Sequence, residues 1–180
     1  MKKIVIFTGS TVLSLLLFIQ PLKSQEEVSG KHIFSELGGP GVIFSANFDS
    51  RFKQNTRLGL GYRAGIGFGV GSFSDFTVGE YGNTYTRTYY TIPAGLNYIF
   101  GKKHSSRTFE VGGGVALLTR KVSLYCYDYE KPGHCIGYMQ FMFRRVPVDG
   151  GFTFRIGFTP IIGTSGDLFP MVALSFGYAF

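Results

Sequence analysis

The feature that most constrains this chain is a strict two-residue alternation. From Leu58 to Val70, the residues Leu58, Leu60, Tyr62, Ala64, Ile66, Phe68 and Val70 share one parity, and Gly59, Gly61, Arg63, Gly65, Gly67 and Gly69 share the other. Successive side chains of a strand point to opposite faces, so this pattern is a strand with one bulky apolar face. It recurs at 108–117, where Phe109, Val111, Gly113, Val115 and Leu117 alternate with Glu110, Gly112, Gly114 and Ala116. Phe152, Phe154, Ile156 and Phe158 alternate with Thr153, Arg155 and Gly157, and Val172, Leu174, Phe176, Tyr178 and Phe180 with Ala173, Ser175, Gly177 and Ala179. No segment holds apolar residues at 3, 4 and 7 spacing over three turns, so the reading is all-β.

The question is which face is inside. A soluble barrel or sandwich hides its large apolar side chains and shows water a face rich in Lys, Glu, Thr and Gln. Here the other face is Gly, Ser, Ala and isolated charges. Glycine is 26 of 180 residues, and charged residues are only 16% against about 25% in an ordinary soluble domain. A small-residue face suits a narrow lumen, and the bulky face suits lipid, as in strands that alternate apolar-out and polar-in.

Residues 1–24 read as a secretory signal peptide. Lys2 and Lys3 precede an uncharged run from Ile4 to Ile19, and Pro21, Lys23 and Ser24 follow. Removing this segment takes away three lysines and no acid, which leaves 15 basic and 11 acidic residues. That small excess is scattered, so the chain shows no nucleic-acid footprint. The remaining domain, 25–180, divides into eight expected strands at about 29–37, 42–52, 57–70, 89–100, 108–121, 137–146, 152–161 and 168–180. The first is the weakest, with one bent strand over 33–52 as the rival. Short turns at 53–56, 101–107 and 147–151 alternate with longer connections at 71–88, 122–136 and 162–167. Such alternation marks periplasmic turns and extracellular loops, with both termini periplasmic.

The sequence resembles the small eight-stranded bacterial outer-membrane β-barrel proteins. The resemblance rests on the terminal alternation Val172–Phe180 with its C-terminal Phe, on Glu36-Leu37-Gly38-Gly39, on Arg63-Ala64-Gly65-Ile66-Gly67, on Thr91–Tyr98 and on Phe109–Gly114. It implies an antiparallel up-and-down transmembrane barrel in the outer membrane of a Gram-negative cell. It also implies that Phe176, Tyr178 and Phe180 form the insertion signal read by the barrel assembly machinery. The expected partners are that machinery and outer-membrane lipid, and the expected state is a monomer. It carries over no catalytic residue.

The candidate chemistry is sparse. His32, His104 and His134 lie far apart without metal-ligand spacing, and each reads as a solvated or interfacial histidine. Asp75, Glu80, Asp128 and Glu130 read as solvated loop charges. Ser123 and His134 could meet in one loop as a lipid-modifying pair, but no third group is evident. The glycine clusters precede no helix, so they do not form a dinucleotide site. No cofactor and no metal are expected. On the parity above, the acids Glu36, Asp49 and Glu110 and the arginines Arg51, Arg63 and Arg155 point inward, three against three, as an ion-paired lumen. Arg63 and Glu110 are expected to meet across it. Cys126 and Cys135 flank eight residues in an exported chain, so a disulfide is expected. The expected function is a non-enzymatic structural or surface-binding barrel. Its contact surface would be the loops 71–88 and 122–136, with Tyr81, Tyr85, Tyr89 and Tyr90 in the first region. The alternatives are a lipid-modifying rim enzyme, a small pore, or a secreted soluble lipocalin-like barrel.

Overall fold

The computed structural model describes residues 30–74, 84–122, 133–163, 166 and 168–180. The expected signal peptide, Asp75, Glu80, Tyr81, Ser123, Cys126, Asp128 and Glu130 lie outside these residues. Ten strands follow one another: β1 (Lys31–Gly38), β2 (Phe44–Arg51), β3 (Gly59–Ser74), β4 (Thr84–Gly101), β5 (Arg107–Val122), β6 (Gly133–Arg145), β7 (Gly151–Phe158), two-residue β8 (Ile161–Ile162) and β9 (Leu168–Phe169), and β10 (Val172–Ala179). β1 to β7 and β10 are the eight barrel strands. Each pairs antiparallel with its neighbour in sequence, β10 pairs with β1, and β5–β6 completes the ring. Closure leaves no long sheet edge unpaired, which matters wherever water cannot satisfy the backbone.

Several expected boundaries change. The weak first segment is not part of one bent strand. A buried 3-10 turn over Gly39–Gly41 separates β1 from β2, with Gly38 at φ 73° and Gly39 at φ 62° in the left-handed region that glycine enters without strain. The 71–88 connection is much shorter than expected, because β3 runs on to Ser74 and β4 starts at Thr84, with Ser74 opposite Thr84. β6 likewise starts at Gly133, so His134 and Cys135 stand on a strand. The polar Gly, Ser and Thr residues there lack an apolar face, so alternation could not reveal them.

The expected strands 152–161 and 168–180 are each interrupted. Phe158 pairs with Val172 and Ile161 with Phe169 in one register, which sets Pro160 opposite Pro170. The Met139 amide donates to the Pro160 carbonyl at 3.0 Å, but proline has no N–H to return the bond.

The two faces of the wall are opposite in character. Ile66, Leu96, Phe109, Leu117, Phe152 and Ile156 stand exposed outside, among many other large apolar residues. Phe176, Tyr178 and Phe180 belong to the same outer surface. Inside, charged and polar side chains are buried. The interior is also graded along its length. At the end of the longer connections, Tyr89, Ala116, Leu118, Ile136 and Ile161 form an apolar cluster backed by Val42, Phe169 and Met171. Towards the short turns the interior becomes ionic.

Candidate functional site

All eight barrel strands contribute side chains to one buried polar network. β1 supplies Glu36, whose Oε1 accepts from Arg63 Nη2 of β3 at 2.8 Å and whose Oε2 accepts from Ser175 Oγ of β10 at 3.0 Å. The same Arg63 nitrogen donates to Asn47 Oδ1 of β2 at 2.9 Å. On the other side of the lumen, β5 supplies Glu110. Its Oε2 pairs with Arg144 Nη1 of β6 at 2.8 Å, and its Oε1 pairs with Arg155 Nη2 of β7 at 3.0 Å. Asn97 of β4 donates to the same Oε1 at 2.8 Å. Arg144 also reaches Asp49 Oδ2 at 2.7 Å, and Asp49 pairs with Arg51 two residues along β2.

Arg63 and Glu110 do not touch. The expected pair is replaced by a bridge, in which Arg63 Nη1 donates to Gln140 Oε1 at 2.6 Å and Gln140 Nε2 donates to Glu110. Sequence parity can say that two charges share a lumen. It cannot say which meet, because that depends on strand tilt and stagger around the ring.

The inward glycines explain how so many long side chains fit. A methyl added at Gly61 would run into the Arg51 guanidinium, and one added at Gly65 into the Asn47 amide. One at Gly112 would stand 2.9 Å from Gln140 Nε2. The glycine face of β3 is therefore the space that the network occupies.

The six expected inward charges, Glu36, Asp49, Arg51, Arg63, Glu110 and Arg155, are all buried. The expected three-against-three balance is not what the interior holds. Arg144, on the same parity as Gln140 and Met142 in β6, is buried too, and so is Arg57 in the β2–β3 turn. The inward parity of β6 was there to be read, since Phe141 and Phe143 alternate with Gln140, Met142 and Arg144. Arg57 opens the expected strand 57–70 on the inward parity of Gly59 and Arg63, but β3 begins only at Gly59 and Arg57 stands in the turn before it. Its guanidinium turns inward to cap carbonyls of two other turns, Val146 O and Lys103 O at 2.9 Å and Ser105 O.

His32 departs from its expected solvated setting. It is 2% exposed, stacks on Phe34 at 4.8 Å, contacts Thr153 Oγ1, and lies 3.5 Å from Arg144 Nη2. Phe34 in turn lies under Arg155 at 4.2 Å and Arg63 at 5.2 Å, a buried cation–π arrangement. Tyr89 is a second correction: it is 3% exposed and packs inside the barrel, whereas Tyr90 is 65% exposed. His104 is exposed in the β4–β5 turn, and His134 Nδ1 lies 3.1 Å from the Leu118 carbonyl. Cys135 is exposed on β6. Among the described residues no group of three or more His, Cys, Asp or Glu could hold a metal ion.

This combination of an apolar outer wall, a closed antiparallel ring of eight strands and a filled polar interior defines the fold class of small outer-membrane β-barrels. Comparison with solved structures agrees. The N-terminal β-barrel domain of Pseudomonas aeruginosa OprF superposes with a TM-score of 0.51 at 11% identity, covering 86% of this chain and 98% of that one. Ail, the attachment invasion locus protein of Yersinia pestis, solved with the heparin analogue sucrose octasulfate, gives a TM-score of 0.37 at 12% identity over 84% of this chain and 97% of that one. Only the first score bears on the fold, and identities this low speak to fold alone. The chain matches no protein-family model and no curated protein.

Proposed function

We propose that this chain is a non-enzymatic barrel of the bacterial outer membrane, acting as a structural or surface-binding protein through its longer connections. The observation that carries the reading is the inversion of the wall: large apolar side chains exposed outside and paired charges buried inside. The interior is crossed by side chains from every strand and closed at one end by an apolar cluster, which favours a plug over a pore. The outer-facing Phe176, Tyr178 and Phe180 would serve the barrel assembly machinery as an insertion signal. An exported chain would also join Cys126 to Cys135, and thiol labelling of unreduced, denatured protein should then find no reactive cysteine.

The test is membrane extraction combined with gel mobility. The protein should resist carbonate, and unboiled and boiled samples should migrate differently, because a closed barrel stays compact in detergent until heated. Release by carbonate with identical mobilities would support the soluble barrel instead. Stepwise conductance in a planar bilayer would overturn the plug.

A further inference from the structure

The buried charges do not cancel. Among the described residues, Arg51, Arg57, Arg63, Arg144 and Arg155 are buried against Glu36, Asp49 and Glu110 alone. Two positive charges are therefore left over in a region where an uncompensated ion carries a heavy desolvation penalty. The surplus is not spread evenly. Arg63 has Glu36, and Arg155 has Glu110. Arg51 and Arg144 share Asp49, and Arg144 also pairs with Glu110, whereas the hydrogen-bond acceptors of Arg57 are neutral carbonyls and the acid that attracts it, Asp149, is exposed in the β6–β7 turn outside the lumen.

Those three arginines converge on one place. Arg51, Arg57 and Arg144 line a pocket at the short-turn end of the lumen, together with His32, Thr108 and Gly30. Its free volume is about 10 Å³, roughly what one water-sized guest needs. No acidic residue lines it. Arg57 Nε and Arg144 Nε are both buried without a hydrogen-bond acceptor. A small pocket lined by three guanidinium groups, two of which share the single carboxylate of Asp49, favours negative charge, since guanidinium binds anions through directed, charge-assisted bonds.

We propose that this pocket is an anion site, sized for a halide or a single carboxylate or phosphate oxygen. It neutralises the surplus charge of the lumen. Two sources share that chemistry. One is a free inorganic anion. The other is the chain's own acidic pair, Glu26 and Glu27, which lies only a few residues before Gly30 in sequence. The inference rests on the barrel interior and not on where the barrel resides.

The experiment uses the full exported chain folded in zwitterionic detergent. The unfolding midpoint in urea is read by gel mobility while sodium bromide replaces sodium gluconate at constant ionic strength. Stabilisation of a bound state follows mass action and must saturate. If a free anion fills the site, bromide stabilises the wild type saturably, and Arg57→Gln raises the half-saturating concentration at least tenfold. If Glu26 and Glu27 supply the charge, the wild type ignores bromide and the Glu26→Gln/Glu27→Gln variant acquires the saturable response. Should Arg57→Gln fail to fold, anomalous scattering from bromide in crystals of the wild type and the double glutamine variant replaces it, with a peak expected between Arg51, Arg57 and Arg144 in one of them. The proposal is overturned if bromide and gluconate act alike on both proteins, if Arg57→Gln added to whichever protein responds to bromide leaves the half-saturating concentration unchanged, or if neither crystal shows the peak.

Discussion

On the outer face of β3, Leu60, Tyr62, Ile66 and Phe68 stand exposed, while between them Arg63 is shut in among Glu36, Asn47 and Gln140. The two faces belong to the same residues' backbone and are separated by the thickness of one strand. The outer face tolerates imprecision: any large apolar side chain covers the surface, and neighbouring rings meet at varied tilts, as Phe44–Phe68 and Phe48–Tyr62 do. The inner face does not, because each buried charge is stable only with its particular partner in place. The difference teaches where specificity resides in such a barrel. Hydrophobic alternation decides that a strand has an inside, and the ionic interior decides which strands face each other across it.

The largest effect should come from breaking the inner face at its centre. Glu110→Ala removes the carboxylate shared by Arg144 and Arg155 and an acceptor for Asn97 and Gln140. Leaving buried charge unpaired costs about 3–5 kcal/mol. Urea unfolding of the reconstituted barrel should register a loss of that size, larger than the loss from Glu36→Ala, which removes the carboxylate of one arginine, Arg63, and the acceptor of Ser175. Equal losses for the two variants would mean that Glu110 is not the hub.

The outer face is tested by placing charge where apolar surface stands. Ile66 is 69% exposed near the middle of β3. If that surface meets the middle of a bilayer, Ile66→Arg should cost about 2–4 kcal/mol in lipid vesicles. On a water-facing wall the same exposed substitution would stay within about 0.5 kcal/mol. The comparison between faces depends on this result, because a small loss would make the outer wall an ordinary, if unusually apolar, surface.

How much of this was legible in the sequence follows from the same division. Parity alone placed Glu36, Asp49, Arg51, Arg63, Glu110 and Arg155 inside, since alternation is a local property of each strand. Contacts across the lumen are not local. They depend on the stagger between strands far apart in sequence, so Arg63 was matched to Glu110 when its carboxylate partner is Glu36. Arg57 falls outside that inward set although it opens the expected strand 57–70 on the parity of Gly59 and Arg63; it stands in the turn before β3, and its inward direction comes from the turn carbonyls it caps. The upper parts of β3 and β4 escaped because Gly71, Ser72, Thr84 and Thr86 carry no apolar parity, although their backbones pair. The Pro160–Pro170 juxtaposition needed the register, and the expected strands 152–161 and 168–180 run straight through both prolines.

The smallest expected effect is the most discriminating. Arg63 and Glu110 make no direct contact, yet both bind the Gln140 amide, one at its oxygen and the other at its nitrogen. A side-chain amide fixed at both ends transmits orientation: if one partner leaves, the amide is free to turn and the other bond weakens. Arg63→Ala and Glu110→Ala should therefore couple by somewhat over about 0.5 kcal/mol in a double-mutant cycle, near the lower end for residues in one network. Gln140→Leu keeps the volume but removes both bonds, at a cost of about 1–3 kcal/mol for the donors and acceptors left unpaired. Repeating the cycle in the Gln140→Leu background should abolish the coupling. If it survives at full size, the two charges sense each other directly through the low-dielectric lumen, and the amide is a spectator between them.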